Sequence, residues 1–585
     1  MSRLFARLLE KRGFSEEFLE PKWEDLAEPE VLPDMEKAVE RIIRAGETRE
    51  KVIIYGDYDV DGVTASAEMA EILEAAGVSE FFVMLPDRFL DGYGMSMKVV
   101  EKAKEMGATL VVTVDCGSNN GEVIKELRRI GVDTVVTDHH EISGEMPEAV
   151  AVVNPKRKDF REKVVASRAL VREPQGGATE RKIGVNLGKH HLEDLCGAGV
   201  AFYVARMMVK RGKMSEAQMK WMTELAMMGT ICDSMVMLGD NRIIARFGLM
   251  VIKKTRRVGL RELMRNAGVK MEIGRVAVAN VNGANSEKVD SGAVVNTGTV
   301  GFQIGPRLNA AGRIEKADLA YELLTTKSKV VAVNLAMKLE ELNKRRREMQ
   351  TTATDEVEER GVSEEPVMVV EGEWHEGVLG IIAGRLTEKY RKPSFVLTEV
   401  EDGYKGSGRS FGDFNLAKAL EYCREELVSG GGHAAAAGVK VRLGRLAVFR
   451  EKINEYYRSL NLSGQEKYFR VHEDLSVGSL KSLSVEFLEE LKKLEPFGVG
   501  NEEPIFLLNG VVIEEVKWMG ATGRHLSMLV KDDEGARMRL VGFNAEEEWG
   551  KVRVGEKVRV WVRVEENWWR GSCSVEGKIL GMETV

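Results

Sequence analysis

Short apolar runs alternate with amphipathic stretches between residues 51 and 155. Apolar runs begin at Lys51, Phe81 and Leu110, and each is followed by a segment whose apolar positions recur at helical spacing; a fourth run begins at Val132. Strands of four to six apolar residues that alternate with helices are typical of βαβ units and predict a parallel sheet. Ligands bind beyond the carboxyl ends of such strands, so the polar residues that directly follow each strand are the candidates for chemistry.

The remainder of the chain changes its pattern several times and predicts further domains. We expect a helical lead-in at 1–45, a parallel-sheet α/β domain at 46–330, a connecting helix at 331–360, a smaller α/β domain at 361–460 and a strand-rich barrel at 461–585. The connecting helix has Leu335, Leu339, Leu342 and Met349 on one face and leaves the segment KRRRE exposed. The polar stretches 163–191 and 276–300 are predicted to be surface excursions.

Composition and charge indicate a multidomain protein of ordinary solubility. Of the 585 residues, 44% are hydrophobic and 30% are charged, and no run reaches the roughly 20 apolar residues of a membrane span. Charges follow too soon after Met1 for a secretory signal peptide, and the five cysteines are scattered, which suits a reducing cytoplasm. The net charge of −8 weighs slightly against nucleic-acid binding, although local patches decide such contacts.

Acidic and imidazole side chains follow three of the predicted strands. Strand ends in one parallel sheet lie side by side, so these groups should converge in one cleft, and another aspartate follows a predicted helix in GTICD. Several carboxylates in one cleft repel one another unless cations neutralise them. Oxygen ligands with an imidazole suit Mn²⁺ or Mg²⁺, which points to phosphodiester hydrolysis. The residues are Asp57, Asp59, Asp61, Asp115, Asp138, His139, His140 and Asp233.

Each of these motifs also has a simpler interpretation. An acidic turn after a strand is commonly a helix N-cap or a solvated loop, and one motif alone would favour that interpretation. Three motifs at successive strand ends favour a common site instead. A further imidazole pair, His190 and His191, stands in a polar stretch with no strand before it, and we expect it to be a solvated surface pair.

The motifs resemble those of a known superfamily. GDYDVDG, TVDCG, TDHH and GTICD are similar to the four phosphoesterase motifs of the DHH superfamily, and PDRFLDGYGMS, LCGAGVAF, NRIIARFGL and GPRLNAAGR resemble its bacterial RecJ branch. The resemblance runs from about residue 50 to the C-terminus. It implies a parallel-sheet DHH domain joined by a helix to a smaller α/β DHHA1 domain, with a C-terminal OB-fold-like barrel. It also implies 5′→3′ hydrolysis of single-stranded DNA with Mn²⁺ or Mg²⁺, in repair and recombination.

The resemblance assigns roles by position. The metal ligands would be Asp59, Asp61, Asp115, His139 and Asp233, with Asp115 bridging. Asp57 and Asp138 would orient these ligands, and His140 would face the scissile phosphate. Many members of the superfamily have a histidine two residues before the first aspartate, where this chain has Tyr55. That departure predicts a weaker metal position built on Asp59, Asp115 and Asp57.

The second α/β domain and the tail supply the expected DNA contacts. The motif GSGRS, which alone would equally suit a plain turn, resembles the DHHA1 domain together with WHEGVLGI and GGGH. Ser407, Arg409 and His433 would hold the terminal nucleotides, and the DNA backbone would meet Arg88, Arg307, Asn309 and Arg313. PFGVGNEEP and ENWWRG are similar to the RecJ barrel, where aromatic residues either stack on bases or pack in the core. The candidates are Trp518, Phe543, Trp568 and Trp569.

Two other functions remain compatible with the sequence. One is an oligonucleotide or cyclic-dinucleotide phosphodiesterase, which would have little use for the extra C-terminal barrel. The other is a non-catalytic DNA-binding scaffold, which would have lost the metal ligands that this chain retains. The expected partners are single-stranded DNA, a single-strand-binding protein and a helicase, and we expect a cytoplasmic monomer with no membrane contact.

Overall fold

The computed structural model describes most of the 585 residues. Outside the description lie 90, 93, 172–188, 270–274, 280–284, 290–294, 463–467, 469–470, 521–522, 546–548 and 570–571, and only the backbone is described at 167–171, 275–279, 285–289 and 569. In that part of the chain, no helix has both the length and the apolar character required to cross a membrane.

The first domain contains the predicted parallel sheet. Three helices lead into it: α1 (Arg3–Arg12), α2 (Glu16–Leu19) and α3 (Met35–Glu47). The sheet and its helices are β1 (Lys51–Tyr55), α4 (Val60–Ala76), β2 (Glu80–Met84), α5 (Lys98–Met106), β3 (Leu110–Val114), α6 (Gly121–Arg129), β4 (Asp133–Thr137) and β5 (Ala151–Val153). The strand order is β2-β1-β3-β4-β5 and every pair is parallel. Alternate strand residues enter separate apolar cores on the two faces, because side chains alternate along a strand.

A helical layer follows the sheet and closes the first domain. It contains α7 (Lys158–Val171), α8 (Gly197–Lys210), α9 (Glu216–Cys232), α10 (Gly239–Ile252), α11 (Val258–Asn266), an antiparallel pair β6 (Arg275–Ala279) and β7 (Asn285–Val289), α12 (Thr297–Thr299), a π-helical turn (Val300–Ile304), α13 (Gly305–Ile314) and α14 (Asp318–Thr325). The two predicted excursions therefore contain regular structure, the end of α7 and the β6–β7 pair, and much of the remainder of each lies outside the described residues.

A long helix leads to the second α/β domain. The helix α15 (Lys329–Glu359) has the predicted position, and Leu339 and Leu342 are buried on its inner face. The second domain contains β8 (Met368–Glu371), α16 (Leu379–Tyr390), β9 (Ser394–Val400), β10 (Gly403–Arg409), α17 (Leu416–Tyr422), β11 (Leu427–Gly432), β12 (Ala436–Arg442) and α18 (Leu446–Ser459). Its sheet order is β11-β12-β10-β9-β8, and only the β8–β9 pair is parallel.

The C-terminal domain is a closed barrel, as predicted. It contains β13 (Leu475–Val477), α19 (Val485–Leu491), β14 (Phe506–Met519), β15 (His525–Lys531), β16 (Arg537–Gly542), β17 (Lys557–Trp569) and β18 (Ser572–Thr584). The strand β14 pairs with both β15 and β17, so five strands close into a ring in the order β14-β15-β16-β18-β17. Short 3₁₀ turns occur at Trp23–Asp25, Pro29–Val31, Leu192–Asp194, Glu376–Val378, Arg424–Glu426, Leu480–Ser482 and Lys492–Leu494.

The N-terminal helix packs on the barrel, far along the chain. Leu4, Phe5 and Leu8 of α1 are buried in the same apolar core as the barrel strands. The buried guanidinium of Arg242 on α10 also joins distant segments, because it donates hydrogen bonds to the carbonyl oxygens of Leu494 (2.7 Å), Pro496 (3.2 Å), Lys493 (3.1 Å) and Phe18 (3.2 Å). These contacts fix the barrel to the first domain. The numerical domain boundaries stay predictions.

Candidate metal centre

The turn after β1 delivers three aspartates to one edge of the sheet. Asp59 is the N-cap of α4, and its Oδ1 atom accepts hydrogen bonds from the backbone N–H groups of Asp61 (2.9 Å) and Gly62 (3.2 Å). The N-cap interpretation is therefore correct for Asp59. It does not exclude the metal interpretation, because the ligand atoms of Asp57, Asp59 and Asp115 also lie within 4.8 Å of one another.

The predicted ligands converge although they are far apart in the chain. The Nε2 atom of His139 lies 3.0 Å from Asp115 Oδ1, 3.6 Å from Asp61 Oδ2 and 3.6 Å from Asp233 Oδ2. Asp233 is the C-cap residue of α9, which packs against α4 and thereby brings GTICD to the strand ends. The structure thus places Asp59, Asp61, Asp115, His139 and Asp233 around one centre.

Two glycines allow the helices to approach this centre closely. A Cβ atom on Gly197, at the start of α8, would lie 2.5 Å from Asp115 Cβ, and a Cβ on Gly229 would collide with the carboxylate of Asp61. The first turn of α8 then donates to Asp61 from the N–H groups of Gly197 (2.6 Å) and Ala198 (2.8 Å). The motif LCGAGVAF therefore positions a metal-ligand candidate, a role that the motif itself did not indicate.

Burial and mutual repulsion leave the acidic cluster short of positive charge. Burial, and then the neighbouring carboxylates, raise the pKa of Asp57 and of Asp233 to about 8 and also raise the pKa of Asp59 and of Asp115. Within the described part of the chain, Asp57 Oδ1 accepts no hydrogen bond, and Asp115 Oδ1 accepts none apart from its 3.0 Å approach to His139 Nε2, a ring nitrogen that offers a lone pair when the imidazole is neutral. Buried oxygens without donors fit a divalent cation, which would supply the missing charge.

The two histidines of TDHH are in opposite protonation states. Burial lowers the pKa of His139 to about 4, so its ring is neutral at pH 7 and has a lone pair for a metal. Burial acts in the same direction on His140, but the hydrogen bond of its Nδ1 with Asp138 Oδ1 (2.8 Å) and the charges of Asp138, Asp233 and Asp57 together raise the pKa of His140 to about 9. His140 is thus a cation next to the acidic centre. Together, the carboxylates and one neutral imidazole are a donor set that fits Mn²⁺ or Mg²⁺.

The side chain of Tyr55 lies in an apolar core rather than among the ligand candidates. It is fully buried beneath α5 and α6. The hydroxyl donates to the carbonyl of Gly94 (3.1 Å) and accepts from the N–H of Ser96 (3.2 Å), so it binds the loop after β2. The weaker metal position expected from Tyr55 stays a prediction, and Asp57 lies where it could serve that position together with Asp59 and Asp115.

Three arginines lie beside the acidic cluster. Arg88 lies over the Tyr58 ring (5.0 Å to its centre), Arg313 approaches the carbonyl of Gly377 (3.4 Å), and Arg409 donates to Ser407 Oγ (3.0 Å). No carboxylate in the described residues forms an ion pair with any of them. Burial, followed by the charges of Arg88 and other arginines, lowers the pKa of Arg313 to about 10. Unpaired cations that repel one another in a cleft are suited to an anion such as phosphate.

The other predicted DNA contacts have different surroundings. Arg307 is buried and bound to Glu340 and to the carbonyl of Gln303 (2.6 Å), so its guanidinium is already occupied. Asn309 Oδ1 accepts from the N–H of Val60 (3.2 Å) and supports the turn of the aspartates. His433 is exposed after β11. The DNA contacts of Arg307, Asn309 and His433 stay predictions.

One expectation about histidines is wrong. His190 is buried, and its Nδ1 lies 2.7 Å from Asp240 Oδ1, while Asp240 also accepts from Tyr203 and from the N–H of Ala27 (2.8 Å). His190 is therefore a core residue rather than half of a solvated pair, because a carboxylate 50 residues away compensates for its burial. His191 is only partly buried, at 3.3 Å from Asp194.

The barrel aromatics divide between surface and core. Phe543 and Trp568 are more than half exposed, whereas Trp518 packs against the barrel core. The side chain of Trp569 lies outside the described residues. Exposure leaves Phe543 and Trp568 as candidates for stacking on bases, with Lys578 lying over the Phe543 ring (5.4 Å to its centre).

Comparison with protein families gives three matches in chain order. Residues 51–230 match the DHH family, N-terminal domain; residues 364–459 match the DHHA1 domain; and residues 476–580 match the RecJ OB domain. The first range covers the parallel sheet and its helices as far as α9, and the other two cover the second α/β domain and most of the barrel.

Similar proteins cover nearly the whole chain. A Single-stranded-DNA-specific exonuclease RecJ of Dickeya dadantii is 30% identical, over 98% of this chain and 94% of the relative. The protein of that name from Bacillus subtilis is 33% identical over 97% of this chain, which spans 66% of that relative's length. Among solved structures, RecJ in complex with Mn²⁺ from Thermus thermophilus has a TM-score of 0.77 and 26% identity, and the match covers 99% of this chain and 75% of the other.

Proposed function

The chain belongs to the RecJ family, and from that membership we propose that it is a single-stranded-DNA-specific exonuclease that removes nucleotides from the 5′ end with Mn²⁺ or Mg²⁺. The proposal is supported above all by the cluster around Asp115: within the described residues, its buried acidic oxygens have few hydrogen-bond donors, and the nearby Arg88 and Arg313 have no carboxylate partner. A site with both features can hold cations and a phosphate at the same time.

The metal ions would be held by residues from four segments of the chain. We assign Asp59, Asp61, Asp115, His139 and Asp233 as ligands, with Asp57 in support. Bound ions of this type lower the pKa of water and neutralise charge on phosphate oxygens. The chain itself orients the ligands: the N–H groups of α8 fix Asp61, and the N–H groups of α4 fix Asp59.

The remaining site residues bind and orient the substrate. Asp138 keeps His140 protonated and directed to the cleft, where its positive charge suits a phosphoryl oxygen. Ser407 and Arg409 face the cleft from the second α/β domain, and Arg88 and Arg313 face it from the first. A phosphate in the cleft would therefore bind groups of both α/β domains, with the scissile bond next to Asp115.

Digestion of labelled strands tests the activity and its direction. A 30-nucleotide single strand with a 5′ label should release labelled mononucleotide at once in Mn²⁺, whereas a 3′ label should remain on long products until late. A blunt duplex of the same sequence and a single strand in EDTA are the controls, and both should persist. Early mononucleotide release from the 3′ label alone would refute the direction, and no release at all would refute the activity.

A second candidate, a phosphodiesterase for oligonucleotides or cyclic dinucleotides, is less well supported. The closed barrel, with Phe543 and Trp568 exposed, offers a surface for a longer strand that a dinucleotide would not need. A competition between a dinucleotide and the 30-nucleotide strand distinguishes the two. Faster turnover of the dinucleotide would favour the second candidate.

The predicted partners and location belong to the same proposal. We propose single-stranded DNA as the substrate, with a single-strand-binding protein and a helicase as partners in repair and recombination. A monomer in the cytoplasm is the expected state. Size-exclusion chromatography with light scattering would test the monomer directly.

A further inference from the structure

The helix α15 crosses a gap between the two α/β domains. It packs on α11, α13 and α14 of the first domain and on α16 of the second; Glu340 bonds to Arg307 on α13, and Glu358, near the end of α15, pairs with Lys389 on α16. Between Asn343 and Ala353 it has no buried residue, although it is buried on one side before and after that interval. The middle of the helix therefore borders the cleft between the domains.

One arginine in this part of α15, between Asn343 and Ala353, lies on the helix face that is buried before and after it. The buried residues Leu339, Asn343, Ala353 and Val357 recur at the three- and four-residue spacing of one helix face. Arg346 belongs to the same face, three residues after Asn343, and is partly buried, whereas its neighbours on the helix, Arg345 and Arg347, are exposed.

The guanidinium of Arg346 is oriented by neutral groups. Its Nε and Nη2 atoms donate to Asn343 Oδ1 (3.2 and 3.1 Å), and its Nη1 atom lies 3.5 Å from Gln350 Oε1. No carboxylate in the described residues pairs with it, although Arg307 pairs with Glu340 on the same helix. The charge of Arg346 is thus held in place without being neutralised.

The surroundings of Arg346 are themselves cationic. Burial, then Arg347 and Arg307, lower the pKa of Arg346, and Arg346 in turn contributes to the lowered pKa of Arg313 beside the acidic cluster. Glu340 neutralises Arg307, but no carboxylate in the described residues pairs with Arg347 or Arg313, so a partly buried cation beside these two is unfavourable unless an anion joins them. A single strand bound at the neighbouring acidic cluster would bring such an anion, a backbone phosphate, close to Arg346.

We propose that Arg346 is a phosphate-binding residue, which holds a backbone phosphate of the single strand next to the phosphate at Arg313. The inference rests on the proposed nuclease function and deepens it. The connecting helix α15 would then line the cleft that binds DNA as well as join the two domains. In the segment KRRRE, Arg346 would contact a DNA phosphate, whereas the other charges would be solvated.

The test compares Arg346→Ala with Arg347→Ala, which removes the same charge one residue further along the helix. Initial rates on a 5′-phosphorylated 30-nucleotide strand in Mn²⁺ would be measured between 50 and 300 mM KCl. Arg346→Ala should raise KM about tenfold at low salt with kcat nearly kept, because a charged hydrogen bond to phosphate is lost. The slope of log KM against log [KCl] should fall by about 0.7, one phosphate contact on a single strand. Arg347→Ala should change KM less than about twofold and leave that slope unchanged.

A second variant, Arg346→Gln, distinguishes loss of the charge from misfolding. Arg346→Gln keeps an amide that can bond to Asn343 but has no charge, so it should show the same loss of salt slope, and thermal melting checks that each variant folds. Equal KM and equal salt slope for the Arg346→Gln and Arg347→Ala proteins would overturn the inference while leaving the nuclease intact. Absence of cleavage by the unaltered protein would instead overturn the proposed function itself.

Discussion

The Nε2 atom of His139 lies 3.0 Å from the Oδ1 atom of Asp115, and the two residues follow adjacent strands of one sheet. Val114 at the end of β3 pairs with Thr137 at the end of β4, so both turns open at the same edge. Asp115 has a left-handed backbone with φ of 59°, which few residues other than glycine, asparagine and aspartate adopt readily. The backbone therefore favours aspartate or asparagine at the position where the cluster requires a carboxylate.

Replacing Asp115 by asparagine removes the carboxylate charge without changing the backbone conformation at this position. Asparagine tolerates the left-handed conformation, so the fold should persist, whereas the central carboxylate is lost. We expect kcat to fall by about a thousandfold or more, since several kcal/mol of metal-dependent stabilisation depend on this group. Binding of a fluorescent single strand in Ca²⁺ should stay within about threefold of the unaltered protein. Cleavage at the parental rate would remove Asp115 from the mechanism.

Metal removal should destabilise the protein more strongly at higher pH. The pKa of Asp57 and of Asp233 is about 8 in the fold, against about 3.9 in an unfolded chain, so the folded protein binds extra protons between these values. The stability contributed by these protons is complete below pH 4 and is lost as pH rises towards 8. The difference in Tm between Mn²⁺ and EDTA should therefore widen from pH 5.5 to pH 8. A constant difference would contradict the assignment of these carboxylates to a metal site.

Asp138 is predicted to act through His140. Burial opposes its ionisation, but the hydrogen bond and the charge of His140 keep the pKa of Asp138 below its usual range. Asp138→Asn should therefore lower the pKa of His140 below about 9 and reduce kcat by about 10- to 100-fold. In a pH–rate profile, the decline at high pH should move to lower pH. A profile of unchanged shape with reduced amplitude would mean that Asp138 has only a structural role.

Removing the hydroxyl of Tyr55 should leave metal binding unchanged. The hydroxyl forms hydrogen bonds with Gly94 and Ser96, in the loop after Arg88, and among the described residues it forms none with an acidic side chain. Tyr55→Phe should keep the Mn²⁺ concentration for half-maximal activity and raise KM for DNA about two- to fivefold, because one buried hydrogen-bonding group is lost. A changed Mn²⁺ requirement with unchanged KM would show that Tyr55 acts on the metal position instead.

The sequence predicted the features that depend on local pattern. Alternating strands and helices placed Asp59, Asp115 and His139 at one sheet edge, and the chemistry of that edge followed. Features that depend on distant partners were not accessible. The burial of His190 depends on Asp240, and the packing of α1 on the barrel joins parts of the chain more than 460 residues apart.

The sequence also does not show which arginines pair with carboxylates from distant parts of the chain. The motif GPRLNAAGR predicts the same role for Arg307 and Arg313, but in the part of the chain that the structure describes only Arg307 pairs with a carboxylate, Glu340 on α15. Conversely, Arg346 was part of an exposed charged segment by composition. The helix period that buries Asn343 and Ala353 also directs Arg346 inward. This direction depends on the packing of α15 against both α/β domains, which the sequence of the helix alone does not show.

Anomalous diffraction from crystals soaked in Mn²⁺ locates the ions without any assay of activity. We expect manganese peaks enclosed by Asp59, Asp61, Asp115, His139 and Asp233, and a loss of these peaks in the Asp115→Asn protein. Well-diffracting, soaked crystals with no peak among these side chains, or with manganese bound only elsewhere, would contradict this expectation.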